Sequence, residues 1–217
     1  MVTVTLTDES GKVNINRATE PMLFNLLTTL DYDDQTARAA VDAILDWRDR
    51  DSITRPFGAE SDYYQGLNPP YAAKDGPLDT VEELGWIRGL NGPGFFRLKK
   101  LFTVQRTGRG VNINAAPLEV LRALGLTAEQ AQAVIQARAL APIRNRRELM
   151  NLLGVTSLRG LNARVSFRSS RFFEIVSTGV VGYGAKRARH TVKAIVRINV
   201  NRPLPWDFVY WADDYAG

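Results

Sequence analysis

One four-residue segment occurs twice in this chain, and each copy opens a longer stretch that also matches. The matching pairs are Val13-Asn14-Ile15-Asn16 with Val111-Asn112-Ile113-Asn114, Leu23 and Leu26 with Leu121 and Leu124, residues 43–48 with 133–138, and Glu83-Leu84 plus Gly89 with Glu148-Leu149 plus Gly154. A repeated supersecondary unit buries its apolar face against its neighbour. The sequence therefore predicts two similar units that pack together.

The two copies differ in the segment between the matched arginine and the matched Glu-Leu pair. Copy two crosses this gap in residues 139–147, whereas copy one uses residues 49–82. Most of the unusual chemistry of the chain lies in that longer insertion.

The first residues alternate as a β-strand does. Val2, Val4 and Leu6 fall on one face, and threonines fall on the other. An isolated strand cannot hide its apolar face. We therefore expect residues 1–12 to pair with strands that follow residue 170.

Near the other end the chain again has the character of β-structure. The strand-like segments are residues 172–178, 192–200 and 206–210. Residues 179–189, with Gly182 and Gly184, indicate a hairpin loop whose basic tip includes Lys186 and Arg187. Strands at both ends around a helical middle predict an α+β fold in which a large helical insertion interrupts one sheet.

Helix signals are dense between the two β segments. Thr127 with Gln130, and Thr80 with Glu83, have the spacing of a capping box, which satisfies backbone N–H groups at the start of a helix. Pro117 suits the first turn of another helix. In copy one the second helix is expected over residues 35–48.

Composition excludes several classes of protein. No apolar run approaches the roughly 18 residues of a membrane span, and nothing at the beginning resembles a signal peptide. The chain has 217 residues and no cysteine, which excludes disulfides and thiolate chemistry. Charge is uneven: residues 1–108 carry 12 basic and 16 acidic side chains, and residues 109–217 carry 16 and 7. A basic half is typical of nucleic-acid binding, of docking to acidic proteins, or of a solvated surface.

Short helix pairs opened by an Asn-x-Asn segment resemble helix-hairpin-helix modules, which grip DNA phosphates. That grip needs glycines that let backbone N–H groups approach the phosphate. The first hairpin, Leu30-Asp31-Tyr32-Asp33-Asp34, has no glycine and three carboxylates. The second has one, Gly125. A nucleic-acid-binding protein stays an alternative, although the acidic hairpin disfavours it.

Carboxylates are concentrated in and beside the insertion of copy one. They are Asp46, Asp49, Asp51, Glu60 and Asp62. Several carboxylates on a long loop suit a hard cation with oxygen ligands, and Ca²⁺ tolerates irregular geometry better than Mg²⁺ does. The simpler interpretation is that Asp46 and Asp49 cap a helix end and face water.

The sequence offers little for catalysis. The single histidine, His190, begins a strand pattern, where a surface role is expected. No serine occupies a nucleophile elbow, and no glycine loop is built for phosphate. We predict that the chain is not an enzyme. A calcium-dependent hydrolase is a further alternative, for which no nucleophile or base can be named.

Four motifs in order resemble the GspK family, the large minor pseudopilins of bacterial type II secretion systems. They are Asp8-Glu9-Ser10-Gly11-Lys12-Val13-Asn14-Ile15-Asn16, Asp46-Trp47-Arg48-Asp49-Arg50-Asp51, Gly58-Ala59-Glu60 with Tyr63-Tyr64, and Val111-Asn112-Ile113-Asn114-Ala115-Ala116-Pro117. The resemblance runs from about Thr5 to the C-terminal strands. It implies a pilin-like antiparallel sheet interrupted by two helix-hairpin-helix (SAM-like) units.

The resemblance also implies domain boundaries. The pilin-like β part comprises residues 1–16 and 166–217, and the inserted helical domain comprises residues 17–165. Within that domain, residues 17–110 form the first unit with its acidic loop, and residues 111–165 form the second.

The implied function is not enzymatic. Family members are minor pseudopilins at the tip of the secretion pseudopilus, in complex with GspI and GspJ, and they support protein secretion across the outer membrane of Gram-negative bacteria. Members bind calcium in the acidic loop, which points to Asp46, Asp49, Asp51, Glu60 and Asp62. This chain is then expected to be the periplasmic part of an inner-membrane-anchored protein, with GspI-like and GspJ-like partners, no nucleic acid, and membrane contact only through a missing N-terminal hydrophobic helix.

Overall fold

A computed structural model describes residues 1–183, 186–201, 203–213 and 215. Its strands are β1 (Val2–Asp8), β2 (Val13–Asn14), β3 (Phe102–Thr103), β4 (Val111–Asn112), β5 (Val165–Ser166), β6 (Phe172–Tyr183), β7 (Lys186–Ile198) and β8 (Trp206–Ala212). Its α-helices are α1 (Glu20–Thr29), α2 (Asp34–Arg48), α3 (Ser61–Gln65), α4 (Phe95–Lys99), α5 (Leu118–Ala123), α6 (Ala128–Leu140) and α7 (Arg146–Leu153). Short 3-10 helices span Glu9–Gly11 and Val81–Trp86.

The two ends of the chain form one antiparallel sheet. Its four strands lie in the order β1-β6-β7-β8. Strand β1 pairs with β6 from Val2 opposite Gly179 to Asp8 opposite Phe173. The predicted pairing of residues 1–12 with the C-terminal strands is confirmed for Val2–Asp8 and is wrong beyond it, because Glu9–Gly11 form a 3-10 helix instead. The α+β fold with a helical insertion is also confirmed.

The hairpin between β6 and β7 differs from its prediction. Residues 179–189 were expected as a loop, but the ladder continues to Tyr183 opposite Lys186. β-Branched side chains at positions 180 and 181 favour extended backbone, so the strands run on past Gly179. Gly184 lies outside the described residues, and so do the side chains of Lys186 and Arg187.

The helical insertion contains the two predicted units, and each is closed by a short parallel strand pair. Strand β2 pairs with β3, and β4 pairs with β5. The second asparagine of each repeat binds, through its side chain, the backbone of a residue later in the same unit. Asn16 exchanges two hydrogen bonds of 2.8 Å with the backbone of Leu78, and Asn114 does the same with Ile143.

The matched arginines explain why the repeat extends to residues 48 and 138. Arg138 donates hydrogen bonds to the carbonyl oxygens of Ile113 at 2.8 Å and Ala116 at 2.7 Å. Arg48 donates in the same way to Ile15 and to Ala18, the latter at 2.7 Å. Each arginine therefore ties the second helix of its unit to the Asn-x-Asn turn that opens it.

The hairpins of the two units share one backbone shape despite their different sequences. Gly125 takes a φ of 99° in the second hairpin, and Asp31 takes a φ of 68° in the first. Aspartate is among the few residues that tolerate this left-handed conformation. The missing glycine therefore changes the charge of the first hairpin without changing its path.

The sheet turns its polar face toward the helical insertion and leaves much of its apolar face uncovered. The β1 side chains Val2, Val4 and Leu6 remain 70%, 61% and 67% exposed. Lys193, on the opposite face of β7, is only 3% exposed. Pairing with β6 thus satisfies the backbone of β1 but does not cover its apolar side chains.

A buried network of charges joins the polar face of the sheet to the helical insertion. Glu174 of β6 lies 2.9 Å from the Lys12 ammonium and 3.2 Å from the Lys193 ammonium. Lys12 also contacts Glu9 at 2.6 Å, and Lys193 lies 3.9 Å from Glu82 of the helical insertion. Because a buried charge is costly unless it is paired, these contacts are what allow lysines to occupy this interface.

Aromatic rings complete this interface. The Lys193 ammonium lies 4.8 Å from the centre of the Tyr215 ring, and the Lys99 ammonium lies 4.5 Å from the same ring. The backbone N–H of Tyr215 donates to the carbonyl of Thr191 at 2.8 Å. The end of the described chain therefore packs over the charged interface.

Candidate functional site

The acidic site is built around the C-terminal end of α2. Asp46 lies in the last turn of this helix with no exposed surface, and Asp49 is the residue that caps its end. The chain then returns over Asp46, whose carboxylate accepts a hydrogen bond from the backbone N–H of Arg55 at 3.2 Å. The Arg55 guanidinium lies 3.5 Å from the same carboxylate.

Gly58 is the residue that lets this loop approach Asp46. A Cβ at position 58 would lie 1.9 Å from Oδ2 of Asp46, which is too close for any other residue without a rearrangement. The next residues, Ala59 and Glu60, are buried. The Gly58-Ala59-Glu60 motif thus brings the Glu60 carboxyl group into the protein beside the α2 acids.

Glu60 is the most unusual carboxyl group of the described chain. It is 4% exposed, and neither of its oxygens has a hydrogen-bond partner in the structure. Burial raises its pKa, and the charges of Asp46, Asp75, Asp49 and Asp51 raise it further, to about 7. A buried carboxylate without donors is the kind of group that a cation would stabilise.

The same environment acts on the two α2 acids. Burial raises the pKa of Asp49, and the neighbouring charge of Asp51 adds to the effect. Burial also raises the pKa of Asp46, although backbone donors from Arg55 and Ala59 oppose it. One oxygen of Asp49 is buried and has no hydrogen-bond partner.

Asp75 belongs with this site and was missed by the sequence analysis. It takes a φ of 52°, and the following N–H, of Gly76, donates to the carbonyl of Trp47 at 3.4 Å. This bond brings the turn back to the end of α2. The Asp75-Gly76-Pro77 turn signal was available in the sequence, but nothing local indicated that it returns to the acids.

Four of the five acids predicted from sequence lie in one cluster, and Asp62 lies outside it. Asp46, Asp49, Asp51 and Glu60 act on one another electrostatically. Asp62 is exposed in the first turn of α3.

The donor set fits a hard cation in its chemistry but is not already arranged around one. The orphaned oxygens of Glu60 and Asp49 are carboxylate donors of the kind that Ca²⁺ takes. Among the described residues, however, no three Asp, Glu or His side chains converge closely enough to hold an ion as they stand. A cation would therefore have to draw the Asp49, Asp51 and Asp75 side chains inward.

A group of aromatic side chains packs beside the acidic loop. Tyr64 is fully buried, and its ring lies 5.1 Å from those of both Trp47 and Tyr71. The Tyr71 hydroxyl donates to the carbonyl of Trp86 at 2.7 Å. The insertion of copy one therefore packs into the common hydrophobic core of the helical units, so the loop is anchored on both sides of Glu60.

The second candidate site is the exposed apolar face of the sheet. The register places Leu6 beside Ile175, Ile175 beside Ala194, and Ala194 beside Trp211. On β8 the rings of Trp206, Phe208 and Trp211 follow one another edge to face, with centres 5.0 and 5.1 Å apart. Ala194 in the middle of this face is only 4% exposed, so the exposed apolar surface lies along β1 and β8. Exposed apolar surface of this kind marks contact with another protein or a membrane segment.

The position of the single histidine agrees with the surface role expected for it. His190 is largely exposed on β7, with its Nε2 atom 3.9 Å from Asp213. Among the residues that the structure describes, no helix combines the length and apolar character that crossing a membrane requires.

Comparison with known proteins gives one consistent family. Two family models, both described as type II secretion system (T2SS) protein K, match residues 4–107 and 111–168. A type II secretion system protein K from Aeromonas hydrophila is 29% identical over 157 residues, which cover 68% of this chain and 47% of that protein. The chain thus spans about half the length of this curated relative.

A solved structure extends the comparison to the whole fold. It is the GspK-GspI-GspJ complex from the enterotoxigenic Escherichia coli type 2 secretion system, with a TM-score of 0.68 and 18% sequence identity. The match covers 99% of this chain and 80% of the other. The architecture of sheet and helical insertion is therefore shared with that chain. Neither comparison favours a nucleic-acid-binding protein.

Proposed function

This chain belongs to the type II secretion system protein K family, and we propose that it acts as a minor pseudopilin in a complex at the tip of the secretion pseudopilus. Its partners are then GspI-like and GspJ-like subunits, and its role is structural rather than enzymatic. The family match, which extends over both helical units, carries this proposal. The likeness of the fold to a chain solved as a GspK-GspI-GspJ complex supports it.

The two parts of the molecule suit two different tasks in such a complex. The sheet offers apolar surface, with Val4 and Leu6 exposed on β1 and Trp211 exposed on β8. The helical insertion has an independent core and stands as a bulky body on the other face. We assign partner contact to the sheet and assign to the helical insertion the role of a cap that prevents another subunit from stacking.

The cellular setting follows from the same proposal. The chain is the periplasmic part of a protein anchored in the inner membrane by a hydrophobic helix. The match to type II secretion system protein K over both helical units supports this assignment.

We expect Leu6→Asp to weaken binding to the GspI-like and GspJ-like subunits of the same organism, because it places a charge in the apolar face. Leu140→Asp is the matched control, since Leu140 is 92% exposed at the end of α6 in the helical insertion. Size-exclusion chromatography with light scattering measures complex formation. If both variants bind equally well, the apolar face of the sheet is not part of the interface. If the unsubstituted protein forms no complex, the proposed function is wrong.

Calcium binding at the acidic site is the second part of the proposal. We assign Asp46, Asp49, Asp51 and Glu60 to the site and add Asp75. The orphaned carboxylate oxygens of Glu60 and Asp49 support it. When bound, Ca²⁺ would neutralise acids that otherwise repel one another and would order the loop after α2.

We expect calcium to raise the melting temperature of the chelator-treated protein, because an ion that binds only the folded state stabilises it by mass action. Glu60→Gln and Asp51→Asn should each reduce this shift. Asp62→Asn should retain it, because Asp62 is exposed on α3 outside the cluster. Differential scanning calorimetry with and without calcium measures the effect. If neither chelator nor calcium changes the melting temperature, the acids do not bind calcium and are only part of a solvated loop.

A further inference from the structure

A groove runs along the seam between the two helical units. It consists of two adjoining cavities of about 440 and 690 Å³, whose walls share Thr19, Arg109, Ala163 and Arg164. Its charged lining is basic throughout: Lys12, Arg17, Arg109, Arg146, Arg159 and Arg164. No Asp or Glu lines either cavity within the described part of the chain.

The five arginines of the groove have no counter-charge of their own. All are exposed, and none forms an ion pair with a carboxylate among the residues that the structure describes. This distinguishes them from Arg48 and Arg138, which are used inside the helical units. Lys12 is also different, because Glu9 and Glu174 already neutralise it.

The walls of the groove are fixed by the backbone. Arg109 and Arg164 flank the β4–β5 pair, where the N–H of Val111 donates to the carbonyl of Arg164 at 2.9 Å. A Cβ at Gly110 would lie 2.6 Å from that carbonyl oxygen, so only glycine fits there. Across the seam, the Thr19 hydroxyl donates to the carbonyl of Asn162 at 3.1 Å. The backbone that carries Arg109 and Arg164 is therefore held in place by these contacts.

A cleft lined by charges of one sign concentrates the field of those charges and attracts ligands of the opposite sign. Like charges in one groove also repel each other, so this arrangement costs stability while no anion is bound. Arginine presents a planar fork that matches a carboxylate with two parallel hydrogen bonds. Leu158 and Val165 lie among the arginines and offer apolar contact.

We infer that this groove binds an extended acidic segment of another protein. The lining disfavours nucleic acid as the occupant, because sequence-tolerant binding of single strands uses aromatic rings for stacking, and no aromatic side chain lines either cavity in the described chain. This binding goes beyond the proposed function and does not depend on it.

The test is binding of a fluorescein-labelled oligoglutamate peptide, followed by fluorescence anisotropy. We expect binding at low ionic strength that weakens as salt rises, because salt screens exposed charges. Arg109→Glu with Arg164→Glu should weaken binding by about tenfold or more, since repulsion replaces attraction at two charges that line both cavities. The matched control, Arg122→Glu with Arg171→Glu, makes the same change of charge at exposed arginines outside the groove and should leave binding within about twofold.

Two outcomes would overturn the inference. In the first, the unsubstituted protein does not bind oligoglutamate, whether or not it binds labelled duplex DNA. In the second, the control pair weakens binding as much as the groove pair does. Arg109→Gln with Arg164→Gln is the second variant, in case the reversed pair does not fold. It removes the two charges without adding repulsion, and an unchanged affinity in that variant would equally contradict the inference.

Discussion

Glu174→Gln is expected to lower the free energy of unfolding by about 3 kcal/mol, because breaking a buried ion pair leaves an uncompensated buried charge. Lys193 loses its nearest carboxylate, whereas Lys12 keeps Glu9. Glu174 is the shared partner of Lys12 and Lys193, which are 6% and 3% exposed. Glutamine keeps the shape of the side chain, so loss of packing contributes little.

Urea unfolding followed by circular dichroism measures this change. Asp207→Asn is the matched control, because it makes the same carboxylate-to-amide change in the same sheet. The Arg197–Asp207 pair is partly exposed, with 42% and 29% of the two side chains accessible, so its loss should cost about 0–1 kcal/mol. If the two variants lose stability equally, the buried network is not what joins the sheet to the helical insertion.

The network should also respond to acid. Burial acts to raise the pKa of Glu174, but the charges of Lys12 and Lys193 and their hydrogen bonds outweigh it, so the pKa lies below its ordinary value of 4.5. A carboxyl group with a lowered pKa stabilises the fold above its unfolded pKa and loses that contribution as pH falls. The stabilisation that Glu174 provides is therefore complete at neutral pH and is lost only at acid pH.

Without calcium, the protein is expected to lose about 3 kcal/mol of stability as pH rises from the ordinary pKa of glutamate to about 7, because Glu60 is protonated in the fold across that window. Its pKa is raised from 4.5 to about 7 by burial and by its acidic neighbours. In this window the folded state binds more protons than the unfolded state, so stability must fall with increasing pH. Glu60→Gln should flatten the dependence, since glutamine does not titrate.

Unfolding in urea at several pH values in the presence of chelator measures this dependence, and Asp62→Asn is the control that should keep it. Calcium should reverse the trend, because the ion binds ionised carboxylates and its affinity rises as protons leave. A Glu60→Gln profile identical to that of the unsubstituted protein would show that Glu60 is not held protonated at neutral pH.

The helical units were predictable because their signals are local. Thr127 and Gln130 form the predicted capping box, with hydrogen bonds of 3.2 and 3.1 Å. The repeat aligns Arg48 with Arg138, and both arginines donate hydrogen bonds to the turn that opens their own unit. Helix α2, predicted over residues 35–48, begins at Asp34 and ends at Arg48.

The parts that escaped prediction depend on contacts between distant segments. Alternation on β7 correctly separated Lys193 from Ala194, but it could not tell which face meets the helical insertion. An apolar face is ordinarily the inner one, whereas here ion pairs with Lys12 and Glu174 keep the polar face inside. Asp75 escaped for a related reason, because only the return of its turn to Trp47 brings it to the acids.

The connectivity of the sheet has a consequence for the order of folding. Strand β1 meets β6 across nearly the whole chain, so that the first residue donates to Val180, 179 positions away. Closing so long a loop costs entropy that must be met before the contacts form. The helical units close shorter loops, such as the one that pairs Val111 with Val165. We expect the middle of the chain to fold first and to bring its two ends together. A substitution that destabilises a helical unit would therefore slow formation of the sheet, although the strands of that sheet lie outside the unit in sequence.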